Sequence, residues 1–140
     1  MFDPKKPTTQ MLGRWQPWHD GHTALFEKAL SEIGQVVIMV RDVGGITDKD
    51  VSGGRTMTQD DNPFKKGEVK DNIIKALLDK GYLYGEEYII LDVPNIVDIS
   101  YGRGVGYTFT QHDLGEEIHN ISATKIRKEM RENGILPSKS

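Results

Sequence analysis

The first forty residues alternate between two hydrophobic periods. Residues 8–14 (TTQMLGR) and 35–41 (QVVIMVR) are short, apolar and rich in β-branched side chains, which predicts two strands. Apolar residues recur between them at near-helical spacing, at Ala24, Leu25, Ala29 and Leu30. Gly34 is placed to end this helix, which we expect over 20–34. The chain therefore opens with a predicted strand–helix–strand unit.

The same alternation continues towards the end of the chain. Residues 64–81 predict an amphipathic helix, 86–94 a third strand and 121–134 a last helix. The apolar face of the first of these helices consists of Val69, Ile73, Ile74, Leu77 and Leu78. Ser122 is placed to cap the last helix at its start. Because there is no internal repeat and no linker, we expect a single domain over 1–140, with an α/β fold and a mainly parallel sheet.

Two segments lack a clear period. Residues 42–63 are polar and glycine-rich, and a loop of this length in a compact domain is usually functional. Its aspartates do not have the spacing of an EF-hand, so we expect no metal site formed by the protein. Residues 95–114 predict two short strands around a glycine-rich turn.

Composition narrows the class of protein. Hydrophobic residues make up 36% of the chain and charged residues 28%, as in a globular protein. The absence of cysteine excludes disulfides and thiolate chemistry and is consistent with a cytoplasmic protein. A net charge of −3 argues against nucleic acid as a partner, and no segment has the length or hydrophobicity of a membrane span.

The histidine pair in the stretch GRWQPWHDGH is the main chemical signal. His19 and His22 follow the first predicted strand, at the start of the predicted helix. A helix N-terminus presents unpaired N–H groups and partial positive charge, which favours phosphate. Gly21 removes a side chain where a nucleotide would pass close to the backbone. The residues alone leave two alternatives open: ordinary surface histidines, or a metal pair completed by His112, His119 or a carboxylate.

Two motifs in this chain resemble those of a known superfamily. GRWQPWHDGH resembles the His-x-Gly-His segment of nucleotidylyltransferases, in the form Gly-Arg-Phe-Gln-Pro-Phe-His-x-Gly-His typical of nicotinamide-nucleotide adenylyltransferases. ISATKIR (121–127) resembles their second motif, Ile-Ser-x-Thr-x-x-Arg, and DNPFKKGE (61–68) resembles a further segment of the same adenylyltransferases. The resemblance spans nearly the whole chain and implies a Rossmann-like three-layer sandwich.

The resemblance implies an enzyme that transfers a nucleoside monophosphate from a nucleoside triphosphate to a phosphate-bearing small metabolite and releases pyrophosphate. The form of the motifs favours ATP, and hence an adenylyltransferase. The alternatives are a cytidylyltransferase that uses CTP and a nucleotide-binding module without turnover. Mg²⁺ is expected to arrive with the triphosphate. The acceptor stays open, as does the oligomeric state, although relatives commonly form dimers or larger rings.

The resemblance also implies roles for individual residues. His19, His22 and Arg127 would be catalytic, with both histidines contacting the triphosphate. Ser122 and Thr124 would hold its β- and γ-phosphates, which Arg127 would neutralise.

The remaining assignments are nucleotide binding for Gly13, Arg14, Trp15, Gly21 and Arg103, and substrate binding for Arg41. Arg41 ends the second predicted strand, where related enzymes often carry a basic residue. For Trp15 and Trp18 the sequence favours burial beside the turn over stacking on a base. Arg103 lies in YGRGVGY, whose glycine spacing is not that of a dinucleotide-binding turn.

Overall fold

The computed structural model describes residues 1–42, 64–100, 102, 108–112 and 123–134. Its elements are strand β1 (Thr9–Gly13), helix α1 (Asp20–Ile33), strand β2 (Val36–Arg41), helix α2 (Lys66–Asp79), strand β3 (Tyr88–Val93) and helix α3 (Ala123–Glu132). Each of these elements falls within a segment for which the sequence predicts the same type of structure.

The three described strands form one parallel sheet in the order β1-β2-β3. In β2, Val36, Ile38 and Val40 share one face and are each at most 2% exposed, whereas Val37 and Met39 on the other face are only partly buried. The prediction of an α/β fold with a parallel sheet is confirmed, while the three-layer arrangement and the single domain over 1–140 stay predictions. Because the strands are parallel, Gly13 and Arg41 lie at the same edge of the sheet, the carboxyl edge.

Helix α1 packs part of its predicted apolar set against the core and adds Phe26 to it. Phe26 and Ala29 are at most 4% exposed, whereas Leu25 and Leu30 are only partly buried against the core. The large ring of Phe26 contacts Tyr82 and Tyr88 edge-on, at centroid distances of 5.2 and 5.6 Å. These aromatic contacts make Phe26 the most deeply buried apolar side chain of α1, although its position is not part of the aliphatic pattern.

Helix α2 buries a narrow stripe. Val69, Ile73 and Leu77 recur at a spacing of four residues and are at most 1% exposed. Ile74 is partly buried against the core, but Leu78 is 54% exposed, so its place on the predicted apolar face is wrong. Gly81, just beyond the helix, adopts φ +90°, the left-handed conformation that commonly follows a helix end.

The amino edge of the sheet is held by a buried glutamine. The side-chain Nε2 of Gln35 donates to the carbonyl of Asp3 (2.6 Å) and to the hydroxyl of Thr8 (2.7 Å), and its Oε1 accepts from the backbone N–H of Asp3 (3.1 Å). Gln35 is only 5% exposed. These bonds fix the amino-terminal segment at the edge of the sheet opposite the carboxyl ends of the strands.

Several expectations fall on less regular or undescribed residues. Two strands were expected within 95–114. The described residues of this segment, 95–100 and 108–112, contain no strand. The loop beyond Asp42 and the cap at Ser122 lie outside the described residues. No described helix is long and apolar enough to cross a membrane.

The exposure difference between two adjacent leucines of α2 gives a stability prediction. Leu77→Ala removes a side chain that is fully buried, and we expect it to lower the free energy of unfolding by about 2–5 kcal/mol. Leu78→Ala is the matched control and should change it by no more than about 0.5 kcal/mol. Urea denaturation of the two variants measures the difference, and equal losses would contradict the burial pattern described for α2.

Candidate functional site

The turn between β1 and α1 is folded back over the end of β1. Trp15 has φ +54°, a strained conformation for a residue with a side chain, costing about 1–3 kcal/mol. Its indole lies against Gly13, where an added Cβ would approach Trp15 Cζ2 to 2.9 Å. The indole Nε1 donates to the carbonyl of Met39 in β2, at 3.0 Å. Gly13 is therefore needed because the tryptophan ring occupies the space of a side chain.

The two tryptophans form the floor of this turn. Trp15 and Trp18 are each 6% exposed, with ring centroids 5.0 Å apart. Trp18 Nε1 donates to the hydroxyl of Thr23 in α1, at 2.8 Å. The predicted burial of both rings is confirmed. The role of Trp15 in nucleotide binding stays a prediction, and so little exposed ring leaves little room for stacking on a base.

The two histidines are fixed by reciprocal bonds to the backbone. His19 occupies the N-cap of α1, and its Nδ1 accepts from the backbone N–H of Gly21, at 3.0 Å. His22 Nδ1 accepts from the backbone N–H of His19, at 3.1 Å. A ring nitrogen that accepts an N–H carries no proton, so each neutral imidazole carries its proton on Nε2. The turn therefore holds two imidazoles whose remaining polar atom is an N–H donor.

The surroundings keep both histidines neutral. The rings stack at a centroid distance of 3.6 Å, and Trp15 meets the His22 ring edge-on at 4.8 Å. Burial, with a smaller contribution from neighbouring His19, lowers the pKa of His22 to about 3. Burial also lowers the pKa of His19, and this shift is partly opposed by the negative charge of Asp20. The pair thus offers hydrogen-bond donors at neutral pH without carrying positive charge.

A buried arginine from the last helix reaches the same turn. Arg127 in α3 is 3% exposed, and its Nη1 donates to the backbone carbonyl of Gln16, at 2.6 Å. The two residues are 111 positions apart in the chain. The structure therefore brings the two motifs of the sequence into contact, because a guanidinium of one is hydrogen-bonded to the backbone of the turn that carries the histidines of the other.

The predicted site residues around this centre are only partly described. Ser122 lies outside the described residues, as does the side chain of Thr124, although the backbone of Thr124 belongs to α3. Arg103 also lies outside them. Gly21 is buried and donates its N–H to His19, so close approach of a nucleotide to Gly21 stays a prediction.

Two further predicted cations lie at the carboxyl edge. Arg14 directly follows β1, and Arg41 is the last residue of β2. Arg41 Nη2 donates to Oδ1 of Asn95, which follows β3, at 2.8 Å. Beside it, Asp42 forms a half-exposed ion pair with Lys66, with Oδ2 and Nζ 3.1 Å apart. The part of the chain that the structure describes contains no group of three or more metal-ligating residues that could hold an ion.

Two polar residues of this region were not predicted from the sequence. Asn95 accepts a hydrogen bond from Arg41, and Gln16 contacts both Arg127 and Phe64, two residues before α2. Gln16 lies within the stretch GRWQPWHDGH, so its position in the motif was the available signal. Nothing local to Asn95 distinguishes it from other polar residues after a strand.

The described residues thus form an α/β protein in which a histidine pair at a helix start and a buried arginine meet at one turn. The chain is 32% identical over 125 residues to a nicotinamide-nucleotide adenylyltransferase of Methanococcus aeolicus, a match that covers 84% of this chain and 64% of the relative. It is 34% identical over 85 residues to the protein of the same name from Thermococcus sibiricus, covering 61% of this chain and 39% of the relative. These matches confirm the resemblance to nicotinamide-nucleotide adenylyltransferases. The chain spans less than two thirds of the length of either relative.

No family model matches the chain. Among solved structures, a bifunctional NMN adenylyltransferase/ADP ribose pyrophosphatase from Francisella tularensis, complexed with AMP and a manganese ion, overlaps with a TM-score of 0.47 at 20% sequence identity. The overlap covers 64% of this chain and 23% of that chain. An overlap of this extent does not by itself assign a fold.

The close approach of Trp15 to Gly13 gives a prediction for the turn. Gly13→Ala places a Cβ within 2.9–3.0 Å of three atoms of the indole ring, and the displaced ring should cost about 1–3 kcal/mol of unfolding free energy. Gly67→Ala in α2 is the control, because no atom lies within 4 Å of its added Cβ. Helix propensity predicts that this control is neutral or stabilising by up to about 1 kcal/mol. If both variants were equally stable in urea, the packing of Trp15 on Gly13 would be refuted.

The backbone bonds of the histidines predict their protonation state. Long-range ¹H–¹⁵N spectra should show His19 and His22 as neutral rings with the proton on Nε2 at about neutral pH. His22 should not titrate between about pH 5 and 8. The same protein unfolded in urea is the control, since there the rings should titrate near about 6.5.

The lowered pKa has a defined consequence for stability. The unfolded chain takes up a proton on His22 at higher pH than the folded chain does, so this contribution to stability is complete above about pH 6.5 and declines as the pH falls towards about 3. A His22 ring that titrates near its ordinary value, or one protonated on Nδ1, would contradict the geometry of the pair.

Proposed function

We propose that this chain is a nucleotidyltransferase that transfers AMP from ATP to the phosphate of a small metabolite and releases pyrophosphate. The names of the two curated relatives make nicotinamide mononucleotide the first acceptor to test. The proposal goes beyond the matches because the chain spans only part of each relative.

The observation that carries this proposal is the contact between Arg127 and the turn of the histidines. Arg127 of the second motif donates to the carbonyl of Gln16, at 2.6 Å, and Gln16 belongs to the same turn of the first motif as the two histidines. A triphosphate needs both: donors for the phosphate under attack and a cation for the departing phosphates. If the sequence matched either motif only by chance, there would be no reason for the two motifs to be in contact in the fold.

In the proposed reaction an oxygen of the acceptor's phosphate attacks the α-phosphorus of ATP. The new P–O bond forms as the bond from the α-phosphorus to the bridging oxygen breaks, and pyrophosphate leaves with that electron pair. Nε2–H of His22, supported by that of His19, would donate to the α-phosphate oxygens on which charge increases. Because the rings are neutral and held by the backbone, they need little reorganisation as the charge develops.

The departing phosphates require positive charge. Arg127 would supply it from α3, and Ser122 and Thr124 of the same motif are the residues proposed to bind the β- and γ-phosphates. Mg²⁺ bound by the triphosphate would neutralise part of its charge. Arg14 at the end of β1 is proposed to join the nucleotide site, and Arg41 to face the acceptor. Cytoplasmic location and a homo-oligomeric assembly complete the proposal.

Pyrophosphate release tests the proposed function directly. With ATP, Mg²⁺ and nicotinamide mononucleotide, the wild-type chain should release pyrophosphate and form a dinucleotide. CTP with the same acceptor, and ATP with a panel of phosphomonoesters, distinguish a cytidylyltransferase and a different acceptor. If ATP and CTP both bind and no acceptor gives pyrophosphate, the proposed transfer is wrong and the chain is a binding module.

The role of His22 gives a prediction for catalysis. His22→Ala removes one donor to the α-phosphate, and we expect kcat to fall about 10²–10³-fold, as for loss of a single oxyanion donor. Lys28→Ala, an exposed change in the same helix, is the control and should retain wild-type kcat. Both are measured at a temperature at which circular dichroism shows them folded. Loss of activity only in proportion to loss of folded protein would remove His22 from the reaction.

A further inference from the structure

Gln16 forms a paired contact with Phe64, which lies two residues before α2 begins. Its side-chain Nε2 donates to the carbonyl of Phe64 (3.0 Å), and its Oε1 accepts from the backbone N–H of Phe64 (2.8 Å). The amide thus satisfies both backbone groups of one residue, 48 positions away in sequence, in the way that a neighbouring strand would.

The same residue also joins the last helix. The backbone carbonyl of Gln16 accepts from Nη1 of Arg127, and Gln16 itself is 3% exposed. Three positions before His19 and next to Trp15, it lies inside the turn that holds the imidazole donors. One buried residue therefore links the turn, the start of α2 and α3.

The bonds of Gln16 are directional and buried, so they define relative positions more tightly than the apolar contacts around them. Phe64 is itself only partly buried against the core, and its backbone is the part that Gln16 holds. If the amide were lost, α2 would remain packed through Val69, Ile73 and Leu77. Its first turn would no longer be tied to the turn of the histidines.

We propose that Gln16 is a positioning residue of the transfer site, which fixes the start of α2 and Arg127 relative to the histidine donors. This inference rests on the proposed function. Gln16 does not need to contact either substrate. Loss of its side-chain bonds lowers the rate of transfer, because a displacement of about 1 Å between reacting groups costs up to about a hundredfold in rate.

The chain provides a matched control in Gln35. Gln35 is also a buried glutamine, 5% exposed, whose side chain binds backbone groups of a distant segment, but it lies at the amino edge of the sheet. A purely structural role for Gln16 predicts that Gln16→Met and Gln35→Met behave alike. A positioning role predicts similar losses of stability and different losses of rate.

The test compares these two variants at a temperature at which both are folded. We expect Gln16→Met to lower kcat about tenfold to a hundredfold, with the ATP dissociation constant within about threefold of wild type because the carbonyl that accepts from Arg127 remains. Gln35→Met should keep kcat within about twofold. Equal kcat in the two variants, whether retained or lost, would overturn the proposal.

A second variant covers the case in which Gln16→Met does not fold. Gln16→Glu can still accept from the N–H of Phe64, and only its protonated form can donate to the carbonyl of Phe64. Its kcat relative to wild type should therefore rise as the pH is lowered, and a constant ratio across pH would count against the paired contact.

Failure of the proposed function can be told apart from failure of this inference. If the wild-type chain releases no pyrophosphate with any acceptor, the proposed function fails, and amide hydrogen exchange then tests the position of the turn. Residues 20–22 should exchange faster in Gln16→Met than in Gln35→Met. Identical exchange in the two variants would show that Gln16 does not position the turn.

Discussion

The site depends on one pair of hydrogen bonds, in which the Nδ1 atoms of His19 and His22 accept backbone N–H groups at the start of α1. These bonds satisfy donors that a helix start leaves unpaired, so they contribute to the fold. They also decide that the proton of each neutral ring sits on Nε2. The same interaction that begins the helix therefore leaves two donors of fixed orientation, and a role in helix capping and a role in anion binding are not alternatives here.

The rest of the turn keeps that pair in place. Trp15 adopts a strained backbone conformation, and its indole makes a hydrogen bond to β2 and packs on Gly13. The two tryptophans enclose His22, and this burial is the main reason that its pKa falls so far below the ordinary value. The pair therefore contributes neutral donors, and the fixed positive charge at this turn comes from Arg127.

The helices and strands were predicted well from sequence patterns, whereas the contacts between them were predicted less well. The strand over 35–41 followed from a continuous apolar run and the helix over 64–81 from an amphipathic pattern, because both are local properties of the chain. The buried face of α1 was predicted less well, since Phe26 meets Tyr82 and Tyr88 from distant positions. The two histidines were identified from their position after the first strand. The bonds of Gln16 to Phe64 and Arg127 could not be predicted from the sequence, because they join residues 48 and 111 positions apart.

The central claim is that the histidine donors and Arg127 face a single triphosphate. A crystal structure of the chain with a non-hydrolysable ATP analogue, bridged by methylene between the α- and β-phosphates, tests it most directly. We expect an α-phosphate oxygen within about 3.2 Å of Nε2 of His22 and the terminal phosphates beside Arg127. A nucleotide bound with its phosphates away from this turn, or held by only one of the two motifs, would contradict it.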